Sequence, residues 1–160
     1  MKEEDLACVL AWRNHPDVRR FMYTQHEITP LEHMRWFENS QLNTARNLLI
    51  FEAYSVPMGF ININQTLPGH VADWGFYLDP AAPRGMGHKL GAAALEFAFA
   101  TLGLHKICGQ ALVFNERSIR FHLRLGFQQE GELRDQYYDG KCYHSVIHFG
   151  LLSGEWQTQS

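Results

Sequence analysis

One stretch limits what this chain can fold into more than any other. It runs Trp74-Gly75-Phe76-Tyr77-Leu78-Asp79-Pro80, then Arg84-Gly85-Met86-Gly87-His88-Lys89, then into an Ala-rich segment. It reads as a strand, a Gly-rich turn and a helix. Alternation along the strand puts Trp74, Phe76 and Leu78 on one face and Asp73, Gly75 and Tyr77 on the other. Gly85 and Gly87 allow positive φ and close approach of a ligand to the backbone. A helix opening there aims its leading N–H groups and its positive dipole end at the same spot. With Arg84 as a fixed cation, the three features make a site for a phosphate or pyrophosphate. Taken alone, the motif fits an ordinary strand-to-helix turn equally well. It lacks the third glycine and the downstream acidic residue of a dinucleotide fingerprint, and the Gly-Lys-Ser/Thr ending of a P-loop.

The segments around it define a mixed fold. Glu3 to Trp12 has a helical period, with Leu6, Val9 and Leu10 apolar, and Pro16 ends it near Arg13-Asn14-His15. Thr29-Pro30-Leu31-Glu32 is a helix start with a capping box and Pro in the first turn; Leu31, Met34 and either Trp36 or Phe37 are expected to face inward. Arg46–Tyr54, Met58–Gln65 and Ala72–Leu78 read as a meander of antiparallel strands. After the Gly-rich turn a helix is expected over about Gly87–Leu102, its stripe Leu90, Ala94, Phe97 and Ala98, closed by Gly103. Its thin Gly91-Ala92-Ala93-Ala94 half suits close packing on a sheet. A strand Lys106–Phe114, a short helix Ser118–Leu125 opened by Asn115 and closed by Gly126, and a hairpin turning at Asp139-Gly140 complete the chain.

At 160 residues and 46% apolar composition this is one domain, residues 1–160, with a core of its own. A net charge of -3 argues against nucleic acid as a partner. Nine His are scattered without a His-x-x-x-His or Cys-x-x-Cys pair, so no metal is expected. Cys8, Cys108 and Cys142 are unclustered, which fits reduced thiols in a cytoplasm better than disulfides. No apolar run is long enough to span a bilayer.

Two blocks in order, Arg84-Gly85-Met86-Gly87 and Asn115-Glu116-Arg117-Ser118 through Gly126-Phe127, with a long helix and a strand between, resemble the GNAT superfamily of acetyl-CoA-dependent N-acetyltransferases. The likeness covers about Ala72 to Leu151. The first half, Trp12-Arg13-Asn14-His15-Pro16 with Phe21-Met22-Tyr23 and Ile28-Thr29-Pro30-Leu31-Glu32-His33, resembles the branch that contains ribosomal-protein N-terminal acetyltransferases. Within that branch, Arg-Asn-His-Pro, Phe-Met-Tyr and Leu102-Gly103-Leu104-His105-Lys106 resemble the nucleotide-sugar acetyltransferases of pseudaminic acid synthesis.

The resemblance implies an α/β (α+β) fold with a mixed, mostly antiparallel sheet, splayed in the middle and flanked by helices. It implies acetyl-CoA as co-substrate. The pantetheine arm would pair with backbone at Phe76, Tyr77 and Leu78. The pyrophosphate would lie on Arg84, Gly85, Met86, Gly87, His88 and Lys89, and Asn115 and Ser118 would line the groove. It implies an acceptor amine, the 4-amino group of UDP-4-amino-4,6-dideoxy-N-acetyl-β-L-altrosamine, whose product serves flagellin glycosylation. Arg13 and His15, backed by Tyr23 and His33, are candidates to bind that nucleotide sugar, and Tyr77 to contact it. Asp73 is the candidate general base. The alternatives are a protein N-terminal acetyltransferase of the ribosomal type and a non-catalytic acyl-CoA-binding module. A homodimer through the C-terminal hairpin or the sheet edge is expected by analogy.

Three positions depart from the family pattern. Lys89 stands where Gly or Ala is usual, and its ammonium either assists phosphate binding or points to solvent. His122 stands where a Tyr usually protonates the departing thiolate; His is a stronger acid and is the candidate to replace it, a structural His being the alternative. The chain starts almost at the first helix, where the family has a strand, so the sheet is one strand short or the start lies upstream.

Overall fold

The computed structural model describes residues 1–157. Helix α1 (Leu6–Asn14) follows a short 3-10 turn, and α2 (Pro16–Arg19) and α3 (Pro30–Gln41) come next. Strands β1 (Arg46–Ala53), β2 (Val56–Leu67) and β3 (Val71–Leu78) form the meander. Then come α4 (Met86–Glu96), β4 (Lys106–Leu112), α5 (Glu116–Arg124), β5 (Gln128–Tyr138), β6 (Tyr143–Leu152) and α6 (Ser153–Gln157). The expected long helix is thus divided: α4 widens into a π turn over Phe97–Thr101, where the Leu102 N–H donates to the Phe97 carbonyl at 3.0 Å.

The strands form one six-stranded sheet in the order β1-β2-β3-β4-β6-β5. All neighbours are antiparallel except β3 and β4. That parallel pair holds only at Val71–Lys106, Ala72–Ile107 and Asp73–Cys108. β3 stays paired with β2 as far as Leu78, opposite Gly59. From Trp74 onward β3 and β4 therefore part, and the sheet is splayed at its centre.

The two faces of the sheet are covered differently. Against one, α4 and α5 bury Trp74, Ile61, Ile63, Ile107, Ala111, Ile147, Phe149 and Leu151 with Leu90, Ala94, Leu95 and Leu125, and Phe76 and Leu78 pack at the margin. Against the other, Val9 and Trp12 of α1 meet Phe60, with Trp36, Leu48, Ile50 and Tyr77 around them. The second layer reaches only the β1–β3 half, so the β4 end of that face stays open.

Helix α3 corrects one expectation. Thr29 and Glu32 form the capping box: the Glu32 N–H donates to Thr29 Oγ1 and the Thr29 N–H to Glu32 Oε2. The buried stripe, however, is His33, Phe37 and Ser40, while Leu31 is 58% exposed and Met34 38%. Both stripes satisfy the helical period. Tertiary packing chose the one that sets the neighbouring Trp36 edge-on to Phe60 of β2 at 5.8 Å. Gly91 differs too, because its close contacts are Phe121 and Leu125 of α5, not the sheet.

Candidate active site

The split between β3 and β4 opens into a cleft of about 900 Å³ that runs from the start of α4 to the loop after α2. Its two ends are built differently.

At the first end, Gly85 caps α4 with φ +89, a left-handed conformation that costs glycine little and other residues more. Arg84, Gly85, Gly87 and His88 line this end, with Leu78 from β3. Arg117 and Arg124 of α5 line it as well, and sequence reading passed over both although they lie seven apart, near one another on a helix face. Together with a helix N-terminus these cations suit a diphosphate. Two expected contributors are elsewhere. The Met86 side chain is in the core and its N–H donates to the Pro83 carbonyl at 3.2 Å. The Lys89 N–H donates to the Gly85 carbonyl at 3.4 Å, and its ammonium lies over the Tyr54 ring at 5.9 Å. The open choice for Lys89 thus resolves toward the β1–β2 turn, away from phosphate.

Asn115 and Ser118 also line the cleft. Asn115 Oδ1 caps α5 by accepting the Ser118 N–H at 3.1 Å, so its Nδ2 donor is what it can offer a ligand. Phe76, Tyr77 and Leu78 border the gap where β3 leaves β4.

His122 is in the wall beneath these groups and is 1% exposed. Its ring stacks on Phe149 at 4.7 Å with the planes 4° apart. Nδ1–H donates to the Ser118 carbonyl at 2.8 Å, and Nε2 accepts from the Trp74 indole N–H at 3.1 Å. The tautomer follows from these partners: an indole can only donate and a carbonyl can only accept. Burial drives the imidazole pKa down to about 4, against the opposing bond to Ser118. The ring is neutral at ordinary pH and its one proton points into its own helix. The geometry therefore corrects the general-acid expectation for His122 and fits the structural alternative. Gly109 of β4 belongs to the same arrangement, because a Cβ there would run into His122 Nε2 and the Trp74 indole nitrogen.

The second end of the cleft is lined by Phe21, Met22 and Tyr23, by Asn62 of β2, by Asp73 and Gly75 of β3, and by Cys108 and Gln110 of β4. Tyr23 lines this end, its hydroxyl donating to Gln110 Oε1 at 3.0 Å and its ring 5.2 Å from Tyr137. Asp73 accepts from the Thr66 hydroxyl at 2.9 Å. Asn62 Oδ1 is buried with no partner among the described residues. Above Gly75 there is open space: a Cβ there would meet no atom within 4 Å. Asn62, Cys108 and Gln110 were missed. The signal was the alternation of polar residues with Ile61, Ile63, Ile107 and Ala111.

The Arg13-Asn14-His15 run is not in the cleft. Arg13 Nη2 donates to the Thr24 carbonyl at 3.0 Å. Asn14 exchanges two bonds of 2.8 Å with the backbone of Ile28. His15 Nδ1 caps α2 by accepting the Asp17 N–H at 3.2 Å. The three residues thus shape the loop that carries Phe21 to Tyr23, and the expectation that Arg13 and His15 hold substrate is corrected to that. Burial lowers the Arg13 guanidinium and raises the Tyr77 hydroxyl from their ordinary pKa values. Tyr77 packs on Phe60 at 5.1 Å, partly buried at the margin of the α1 layer, and it also lines the cleft. His33 is buried in α3, its pKa lowered by burial, and is likewise away from the cleft.

Cys8, Cys108 and Cys142 are free thiols, and no helix among the described residues is long and apolar enough to cross a membrane.

Comparison with known proteins agrees with this geometry. A family model described as an acetyltransferase (GNAT) domain matches residues 1–128. Acetyltransferase PseH of Campylobacter jejuni is 26% identical over 141 residues, 86% of each chain. The putative ribosomal N-acetyltransferase YdaF of Bacillus subtilis is 35% identical over 65 residues, 41% of this chain and 36% of that one. The crystal structure of spermidine N-acetyltransferase from Vibrio cholerae in complex with CoA and spermine superposes with a TM-score of 0.89 at 18% identity, over 98% of this chain and 95% of that one. With its splayed sheet, its glycine-capped α4 and a family match over most of its length, the chain belongs to the GNAT family and is an acetyl-CoA-dependent N-acetyltransferase.

Proposed function

We propose that this enzyme acetylates the 4-amino group of a UDP-linked amino-dideoxy sugar, UDP-4-amino-4,6-dideoxy-N-acetyl-β-L-altrosamine, in pseudaminic acid synthesis for flagellin glycosylation, and that it does so in the cytoplasm. What carries the reading is the extent of the likeness to PseH. It spans 86% of both chains, whereas the ribosomal-type relative YdaF aligns over 41% of this one.

The acceptor end of the cleft supports a sugar over a polyamine. A polycation calls for free carboxylates. Of the aspartates lining the cleft, Asp17 lies 3.5 Å from Arg20, Asp73 accepts from Thr66, and Asp79 accepts the Ala81 N–H. The Thr66 bond takes only one oxygen of Asp73, so a single carboxylate is left toward the ligand, and the rest is aromatic and amide: Phe21, Tyr23, Asn62 and Gln110. These suit hydroxyl, amide and base groups.

Acetyl-CoA supplies an activated acetyl thioester. The chain's part is to align two reactants, worth roughly 7–11 kcal/mol in favourable cases. Gly85, Gly87 and His88, with Arg84, Arg117 and Arg124, hold the diphosphate. The parted edge of β3 orients the arm, and a backbone N–H on that edge faces the thioester oxygen. Asp73, at the last β3–β4 pair before the strands part, takes the proton of the attacking amine through water; as the C–N bond forms the C–S bond breaks, and CoA leaves as a thiolate that takes its proton from water. His122 and Trp74 keep the wall rigid and give up no proton.

The test is thioester consumption with three acceptors: the UDP-4-amino sugar, peptides with free N-termini, and spermidine. Turnover with the sugar supports the proposal. Turnover restricted to peptides would move the chain to the ribosomal type, and turnover restricted to spermidine to the polyamine type. Binding of acetyl-CoA with no turnover on any acceptor would leave a non-catalytic binding module.

A further inference from the structure

Asp139, Cys142 and His144 stand together at the turn that joins β5 to β6. His144 Nε2 is 2.7 Å from Asp139 Oδ2 and 3.3 Å from Cys142 Sγ, and Cys142 Sγ is 3.7 Å from Asp139 Oδ2. The three ligand atoms lie within 4.8 Å of one another. Ligands held at about 2.0–2.3 Å from a tetrahedral ion are themselves about 3.3–3.6 Å apart. The two edges that involve sulfur lie close to that range. The Asp139–His144 edge is shorter, and an ion between the two groups would widen it.

The local sequence builds this cluster. Gly140, at φ +96, turns the chain, and Asp139 Oδ1 accepts the N–H groups of Lys141 and Cys142 at 2.8 and 2.9 Å. That anchors the carboxylate with Oδ2 toward the cluster. Cys142 and His144 are two apart in extended chain, so their side chains leave on the same side. The His144 ring is edge-on to Phe114 at 4.8 Å and stacked with Tyr137 at 6.3 Å, which orients its Nε2. An Asp–His ion pair explains Asp139 and His144. The thiol, which donates to the same Asp139 oxygen, adds a third metal-ligating atom 3.3 Å from the ring nitrogen.

We propose that Asp139, Cys142 and His144 bind one divalent metal ion of the zinc type, with a fourth position open to water. A mixed set of one thiolate, one imidazole and one carboxylate favours such ions over magnesium or calcium, which prefer all-oxygen sites. Binding converts the Cys142 thiol to a thiolate and releases its proton. The Asp-x-x-Cys-x-His spacing escapes a search for His-x-x-x-His or Cys-x-x-Cys, so this site replaces the expectation that the chain holds no metal. The ion would staple the hairpin behind Phe114 and Tyr137. Those two rings lie against Phe21 and Tyr23 of the acceptor loop, at 6.1 and 5.2 Å.

The test is titration of the chelator-stripped intact chain with Co2+, followed by displacement with Zn2+. The expected result is one Co2+ per chain with a thiolate-to-cobalt charge-transfer band in the near ultraviolet, abolished by Zn2+. The band is lost in Cys142→Ser, a nearly isosteric change at an exposed turn, and in His144→Ala. It persists in Cys8→Ser and Cys108→Ser. Circular dichroism confirms that each variant is folded. Absence of the thiolate band in the wild-type chain, or its survival in folded Cys142→Ser, overturns the proposal and leaves an Asp–His ion pair beside a thiol.

Discussion

The two ends of the cleft contrast in how they are made. The end where we place the cofactor sets backbone groups (a left-handed glycine, the first turn of α4, and the edge exposed where β3 leaves β4) beside the cations Arg84, Arg117 and Arg124. The acceptor end is side chains from four separate segments, the loop after α2 and strands β2, β3 and β4. Backbone geometry serves any acyl-CoA ester. Side-chain chemistry drawn from distant segments can change residue by residue and so tune the acceptor.

Four substitutions break or sharpen the contrast, and the largest effect belongs to the wall that both ends share. Gly109→Val pushes into His122 and Trp74. It is expected to lower stability by about 3 kcal/mol, at the upper end of the cost of overpacking a core. Chemical denaturation measures this, and a loss below about 1 kcal/mol would show that the wall yields.

His122→Phe comes next. It keeps the stacking on Phe149 but leaves the Trp74 N–H without an acceptor, at a cost of about 1–3 kcal/mol. The pH dependence is sharper still. With its folded pKa lowered to about 4, His122 binds its proton later in the folded state than in the unfolded one. The stability this represents is present above the unfolded value of about 6.5 and is lost as pH falls toward 4, by about 3 kcal/mol in all. Denaturation midpoints between pH 7 and 4 should therefore fall more steeply for wild type than for His122→Phe. The alkaline limb of the rate profile should be the same in both. If the variant loses that limb, His122 is the general acid after all.

Gly85→Val acts at the cofactor end alone. Strain at a left-handed position is about 1–3 kcal/mol, which predicts a KM for acetyl-CoA raised about 10- to 100-fold with the acceptor KM unchanged. Gly75→Val is its mirror image and the smallest effect. It fills open space over the acceptor floor, and an acceptor KM raised about tenfold with that for acetyl-CoA unchanged is expected. Steady-state kinetics with each substrate varied in turn checks both, and crossed effects would mean that the two ends are not separable.

Most of the cofactor end was legible in the chain itself. The strand alternation of Trp74, Phe76 and Leu78, the glycine-opened helix and the Asn115 cap are local patterns, set by steric limits on φ and by hydrogen bonds a few residues long. The spread of the candidate site was less legible. Arg13 and His15 carry the residue types of a phosphate clamp, yet neither lines the cleft, and Arg13 Nη2 is bonded to Thr24 and His15 Nδ1 to Asp17. His33 has a ring suited to catalysis and is packed on Trp36. A side chain's chemistry shows what it can bind, not what is near enough to be bound.

By itself, then, the sequence determined the order of elements, the capped starts of α3 and α5, and the glycine turn that opens α4, because each depends on neighbours within one turn or one strand. Only the tertiary structure decided which face of α3 is buried, that the second cover layer stops short of β4, and that His122 has no free proton. It also brought Asp139, Cys142 and His144 up against Phe114 and Tyr137. In each case the deciding partner lies far away in sequence: Phe149 and Trp74 for His122, and Phe114 for His144. Such contacts form only when the sheet closes, and burial, which sets the His122 pKa, exists only once it has.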